Sequence, residues 1–170
     1  MLCLLAARAG STDCTDALKT VRAAVDKAGL TSDAVILTDG EGAYPASATP
    51  AQLVAWLRWA NAQPWRPALA AGQPILGETR TIAAVGTDSP AKGNIAAKTG
   101  TVAVVDPTTG RALFNVQSLA GYMTTDGGRR LVFDVSMSGG SYPDVLTGLQ
   151  QANADVGMVA ASIQQLLSRR

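Results

Sequence analysis

Lys98, Thr99 and Gly100 stand together where a run of β-forming residues begins, in Ile95-Ala96-Ala97-Lys98-Thr99-Gly100-Thr101-Val102. Each type has a chemical use at that place. A lysine ammonium is a compact charge that can hold a substrate carboxylate and help proton traffic at a serine hydroxyl. The Thr99 hydroxyl can hydrogen-bond the same carboxylate. Gly100 puts no side chain between strand and ligand, so backbone can approach closely. The main-chain N–H of Thr101 is then placed to point at a developing oxyanion. A solvated lysine ahead of a β-forming threonine fits the same letters, so the triplet acquires meaning only from its surroundings.

A carboxylate grip needs a nucleophile beside it to become catalysis. The one Ser-x-x-Lys is Ser89-Pro90-Ala91-Lys92. A working pair of this kind must share one face of a helix, whereas Ser89 lies in a stretch bounded by Gly86 and Gly93 and reads as a decoy. No Ser-x-Asn or Tyr-x-Asn occurs, and the chain has no histidine, so the commonest general base and metal ligand are both missing. Asp39 and Glu41 are two carboxylates in a glycine loop that a surface turn explains equally well. Trp56, Trp59 and Trp65 read as core and rim, and Arg129-Arg130 as a solvated strand start. Cys3 and Cys14 cannot make a zinc site without further ligands. They either join in a disulfide across the Gly10-Ser11 turn or serve as two small buried hydrophobes.

The composition is that of an ordered globular protein: 170 residues, 47% hydrophobic and 16% charged. Fourteen basic residues against thirteen acidic ones leave a net charge of +1, which offers nothing to nucleic acid or an anionic membrane. No metal or other cofactor is expected. The start, Met1-Leu2-Cys3-Leu4-Leu5-Ala6-Ala7-Arg8, has no basic region ahead of its short apolar run and reads as a helix rather than a signal peptide. No stretch reaches the roughly 18 apolar residues of a membrane span.

Several elements must position the triplet. Asp13 or Thr15 caps a helix running to about Ala28, and Gly29 ends it. Thr49 caps a second helix, with Pro50 at its first position and Leu53, Val54, Trp56, Leu57 and Ala60 on its inner face. Pro64 to Gly93 is rich in Pro and Gly and reads as one long irregular segment. Three β segments follow, Ile95–Val105, Leu113–Thr125 and Arg130–Met137, joined by turns at Asp106-Pro107…Gly110-Arg111 and Asp126-Gly127-Gly128. A last helix carries Leu149, Ala152, Val156, Val159, Ile163 and Leu166 as the stripe expected to pack on the sheet. The fold class is therefore α/β in the α+β sense: a helical and loop-rich part over 1–93, then an antiparallel meander and terminal helix over 94–170. The strand carrying Lys98 is an edge of that meander, open to an extended peptide held by main-chain hydrogen bonds.

The ordered series Pro74-Ile75-Leu76-Gly77, Ala83 to Gly93, Ala97-Lys98-Thr99-Gly100-Thr101, Asp106-Pro107…Gly110-Arg111, Leu119 to Thr125 and Gly128 to Phe133 resembles the penicillin-binding protein 4 type of D-alanyl-D-alanine carboxypeptidase, a serine peptidase of the S13 type. Asp39-Gly40-Glu41-Gly42 is similar to that family's Asp-Gly-Ser-Gly loop, with Glu41 in place of serine. The resemblance implies the C-terminal portion of one serine β-lactamase/transpeptidase-like domain spanning 1–170. It implies that Lys98, Thr99 and Gly100 bind the terminal carboxylate of a D-Ala-D-Ala stem peptide of peptidoglycan, or of a β-lactam, and that the Thr101 N–H supplies half of an oxyanion hole. It places the nucleophilic serine, its lysine and the export signal upstream of this chain, in a carboxypeptidase or endopeptidase of peptidoglycan in the cell envelope. By itself the chain is then expected to be inactive. Two further readings share the triplet: a non-catalytic wall-peptide-binding or assembly protein, and a β-lactamase-like hydrolase.

Overall fold

The computed structural model describes residues 2–30, 35–38, 42 and 46–169. The loop residues Asp39 and Glu41 lie outside them. The contacts group the chain into two compact units, 1–62 and 63–170, so the irregular segment after residue 62 belongs with the sheet and not with the preceding helices.

In the first unit, α1 (Leu2–Arg8), a single 3-10 turn (Cys14–Asp16) and α2 (Ala17–Lys27) pack together. The Asp13 side chain caps the turn by accepting from the Thr15 N–H at 2.8 Å, as its position ahead of the apolar repeat suggests. Val25, Leu30 and Val35 form the core, with Ala55 and Trp56 of α3 (Pro50–Asn61) against it. Thr49 and Gln52 complete a reciprocal capping box at the start of α3. Cys3 and Cys14 are joined by a disulfide that closes a separation of 11 residues. Restricting the unfolded chain over a loop of that size stabilises by about 3 kcal/mol. Reduction with dithiothreitol is therefore expected to lower the unfolding midpoint of this unit, as followed by circular dichroism, with the same shift in Cys3→Ser/Cys14→Ser and none on reducing that double variant.

The second unit is a sheet with one long helix on one face. β1 (Ile95–Val105), β2 (Ala112–Thr124) and β3 (Arg130–Met137) form the expected antiparallel meander. A fourth strand, β4 (Gly140–Tyr142), pairs with the first residues of β2, beyond the end of β3. Three residues carry too little periodicity to be legible as a strand. The turns form as their chemistry dictates, with Gly110 and Gly128 at positive φ. Between residues 63 and 94 the structure has more order than the Pro/Gly content suggests, with α4 (Arg66–Gly72) and a 3-10 turn at Arg80–Ile82. Proline at a helix start is favourable, and Pro67 sits there.

α5 (Val145–Ser168) does cover the sheet, but not with the whole stripe expected of it. Ala152 and Val156 are buried, whereas Val159 is 49% and Leu166 56% exposed. The buried face is made instead of Gly148, Ala152, Val156, Gly157, Ala160, Ala161 and Gln164. The reason is distance. A side chain at Gly157 would collide with Val85, and one at Gly148 with Phe114, so small residues let the helix axis come close while larger ones are turned outward. Gln164 is satisfied there by donating to the Thr124 carbonyl at 2.8 Å. Among the described residues no helix is long and apolar enough to cross a membrane.

Candidate functional site

The register of the sheet decides what surrounds Lys98. Lys98 is paired with Ala120, and Ala120 with Asp134, so the three form one row across the sheet on the face opposite the buried Ile95, Ala97, Leu119 and Met123. Gly100 is paired with Ser118, and Ser118 with Ser136, forming the next row. A Cβ at Gly100 would come within 2.8 Å of the Ser118 hydroxyl, so the glycine of the triplet also leaves room for that serine.

β1 is an edge strand whose beginning is already occupied. The Ala97 N–H donates to the Pro74 carbonyl at 2.9 Å, and Leu76 N–H donates to the Ile95 carbonyl at 2.9 Å. By the alternation of an antiparallel strand, the next outward-pointing groups are those of Thr99 and Thr101. The free part of the edge thus begins at the triplet. The Lys98 ammonium curls over this edge, donating to the Thr99 carbonyl at 2.6 Å and lying 3.5 Å from the Thr99 hydroxyl. That hydroxyl also donates to Thr81 Oγ1 at 3.3 Å. Lysine, threonine backbone and threonine hydroxyl therefore converge on one patch of strand edge, as a carboxylate-binding group requires.

Thr101 behaves differently from Thr99. Its hydroxyl turns inward, donating to Gln117 Oε1 at 2.7 Å, and Gln117 Nε2 in turn donates to Asn153 Oδ1 of α5 at 2.7 Å. Only its backbone faces the edge. This chain, centred on the fully buried Gln117, ties the strand just past the triplet to α5. Sequence reasoning singled out neither Gln117 nor Asn153, because an isolated Gln inside a strand has no local signal of burial.

Thr81 was also invisible to sequence reading, sitting in the irregular segment. Its position is set by Arg80, the only non-glycine among the described residues with positive φ, at 57°. Arg80 is held in that sparsely populated conformation by donating to the Gly72 carbonyl.

Ser89 and Lys92 form a turn rather than a helix, closed by Lys92 N–H donating to the Ser89 carbonyl at 3.0 Å. The Ser89 hydroxyl is engaged by the Ala91 N–H at 3.2 Å and Gln165 Nε2 at 3.1 Å. The pair does not share a helical face, and Ser89 has a structural occupation. Trp56 and Trp59 stack 4.9 Å apart within the first unit, and Trp65 is exposed. Arg129 and Arg130 are exposed as expected. Among the described residues no group of three metal-ligating side chains comes together.

Asp134, on the Lys98 face, is a titratable group with a clear perturbation. Burial raises its pKa above the ordinary carboxylate value, partly offset by the Ser136 hydroxyl donating at 2.8 Å. Its other oxygen is sealed from solvent without a partner. A carboxyl whose folded pKa is raised costs stability above that pKa, and the cost disappears below the unfolded value near 3.8. Asp134→Asn is therefore expected to raise the unfolding temperature at pH 7 and to leave it unchanged near pH 3, as measured by calorimetry across that range.

The chain is similar to the crystal structure of penicillin binding protein 4 from Haemophilus influenzae, with a TM-score of 0.63 and 22% identity; the match covers 89% of this chain and 32% of that one. The two share a fold, of which this chain spans about a third of the solved protein's length. No curated protein matches it. Residues 4–164 match the sequence profile of the D-Ala-D-Ala carboxypeptidase 3 (S13) family. With nearly its whole length covered by that match, the chain belongs to the D-Ala-D-Ala carboxypeptidase 3 (S13) family.

Proposed function

We propose that this chain forms the carboxylate-binding wall of a serine D-alanyl-D-alanine carboxypeptidase acting on peptidoglycan stem peptides. The observation that supports it most is the convergence of the Lys98 ammonium on the carbonyl and hydroxyl of Thr99 at the point where the edge of β1 becomes free. An extended peptide ending in D-Ala-D-Ala adds to that edge through the outward backbone of Thr99 and Thr101. Its terminal carboxylate replaces the Thr99 carbonyl as the partner of Lys98, with the Thr99 hydroxyl as a second donor. Gly100 keeps the strand clear for the approach.

The chemistry follows from this placement. A serine attacks the carbonyl of the penultimate D-alanine, and the Thr101 N–H stabilises the oxyanion. The C–N bond breaks as D-alanine leaves with a proton, and water hydrolyses the acyl-enzyme. We assign the serine and its lysine to residues outside this sequence, because Ser89–Lys92 is a turn with its hydroxyl engaged. β-Lactams bind in the same way through their own carboxylate. Peptidoglycan lies in the cell envelope, and the Cys3–Cys14 disulfide suits an oxidising compartment there.

Labelling with a fluorescent penicillin tests the reading. The 170 residues alone are expected to form no covalent adduct, and the protein extended upstream to form one. An adduct on the short chain would identify Ser89 or another internal serine as nucleophile and overturn the assignment. Failure of both to label would favour a wall-peptide-binding protein that kept the grip without the chemistry.

A further inference from the structure

The apolar residues that α5 exposes in its second half are not scattered. Met158, Val159, Ile163 and Leu166 are all exposed, and with Ser162 they line an open groove of about 340 Å³. On a helix of 3.6 residues per turn these five fall within about 140° of arc. They stand opposite the buried Gly157 and Gln164. Each end of this face carries one charge, and the two are of opposite sign. Asp155 lies about a turn before Met158, and Arg169 about a turn beyond Leu166. Both are exposed, and neither forms an ion pair among the described residues. Ser162 is at the midpoint, seven residues from each.

That arrangement is complementary to itself. With a second α5 laid antiparallel about a two-fold axis at Ser162, Asp155 of each copy meets Arg169 of the other, and Met158 of each meets Leu166. Ser162 suits the axis. It is small enough for the helices to come close, and its hydroxyl already donates to the Met158 carbonyl at 2.8 Å, so burial leaves no donor unmet. We propose that this face of α5 is a docking surface for a second copy of the chain, packed antiparallel across a two-fold axis at Ser162. One face of one helix covers less than the roughly 800 Å² per partner of a standard interface, so the dimer is weak and its population follows concentration. Each copy uses its face once, which closes the assembly at two.

Sedimentation velocity on the 170-residue chain tests this. A reversible equilibrium is expected, monomeric at about 1 µM and largely dimeric at about 1 mM, with no larger species. Leu166→Lys is expected to weaken association at least about tenfold, because it sets a charge into the apolar contact at both ends of the face. Asp155→Arg and Arg169→Asp, each at an exposed position, bring like charges together at both ends and are expected to weaken it about tenfold apiece. Mixing these two variants is expected to restore the parent affinity, since opposite charges then meet again. Should Leu166→Lys fold poorly by circular dichroism, the charge variants and their mixture decide alone. A chain that stays monomeric throughout, growth beyond a dimer, association untouched by Leu166→Lys, or charge variants that fail to rescue each other would overturn the proposal. So would loss of the dimer in the protein extended upstream, which would give the face to the added segment.

Discussion

Lys98→Ala is expected to slow penicillin acylation of the protein that carries the nucleophile by about a hundredfold, or about 2.7 kcal/mol of transition-state stabilisation. The ammonium is the one cation among the groups converging at the free edge of β1, and it already sits 2.6 Å from an oxygen of that edge. A substrate carboxylate is a better partner than a carbonyl for such a donor, since charge-assisted hydrogen bonds are roughly twice as strong as neutral ones. Removal of the ammonium leaves that carboxylate half desolvated against a strand with only the Thr99 hydroxyl to meet it. The control is chemical. A stem peptide whose terminal carboxylate is converted to an amide is expected to react slowly with either protein, so that Lys98→Ala costs it little further. A loss equally large on the amide would mean that Lys98 acts on the reacting centre or on folding instead, and the carboxylate role would fall. Stopped-flow acylation rates on the two substrates decide it.

Gly121→Ala is expected to be the most destabilising single methyl in the second unit, at about 3 kcal/mol or more. Gly121 lies toward the end of β2, opposite Ala97. A Cβ there would collide with the Ala96 carbonyl oxygen, and would lie 2.6 Å from Ala97 Cα and 2.7 Å from Ala97 Cβ. None of these atoms is the end of a flexible side chain, so relief requires moving β1 itself. Ala97 is tied on its other side to the Pro74 carbonyl, which resists that movement. Since Lys98 is the next residue, any shift that does occur displaces the ammonium as well. Urea denaturation should show the loss in midpoint, and labelling of the extended protein should fall in parallel. Gly127→Ala in the β2–β3 turn is the matched comparison, because a Cβ there meets nothing nearer than 4.0 Å, and it is expected to stay within about 0.5 kcal/mol of the parent. Equal stability of the two variants would show that β1 and β2 are less closely packed than these distances imply.

The division between what sequence determined and what the tertiary structure decided follows the range of the interactions involved. Local chemistry was legible. The Thr49-Pro50 start of α3, the glycine turns at Gly110 and Gly128, the limits of β1 and β3 and the opening of a strand at the triplet all depend on residues within a few positions of one another. The family resemblance, carried by the order and spacing of the motifs around Lys98, was legible for the same reason. Features that depend on partners distant in sequence were not. The helix Arg66–Gly72 is short, and β4 exists because residues 112–114 offer it an edge. The outer half of the expected α5 stripe is exposed because Gly148 and Gly157 bring the helix close along a different face, a choice made by Phe114 and Val85. The site divides in the same way. Sequence alone singled out the triplet and set Ser89 in a turn-forming stretch. Only the folded sheet set Asp134 in a row with Lys98, tied Thr101 through Gln117 to α5, and placed Thr81 against Thr99. Register and packing join residues tens of positions apart, and a periodicity read along the chain carries no information about which ones will meet.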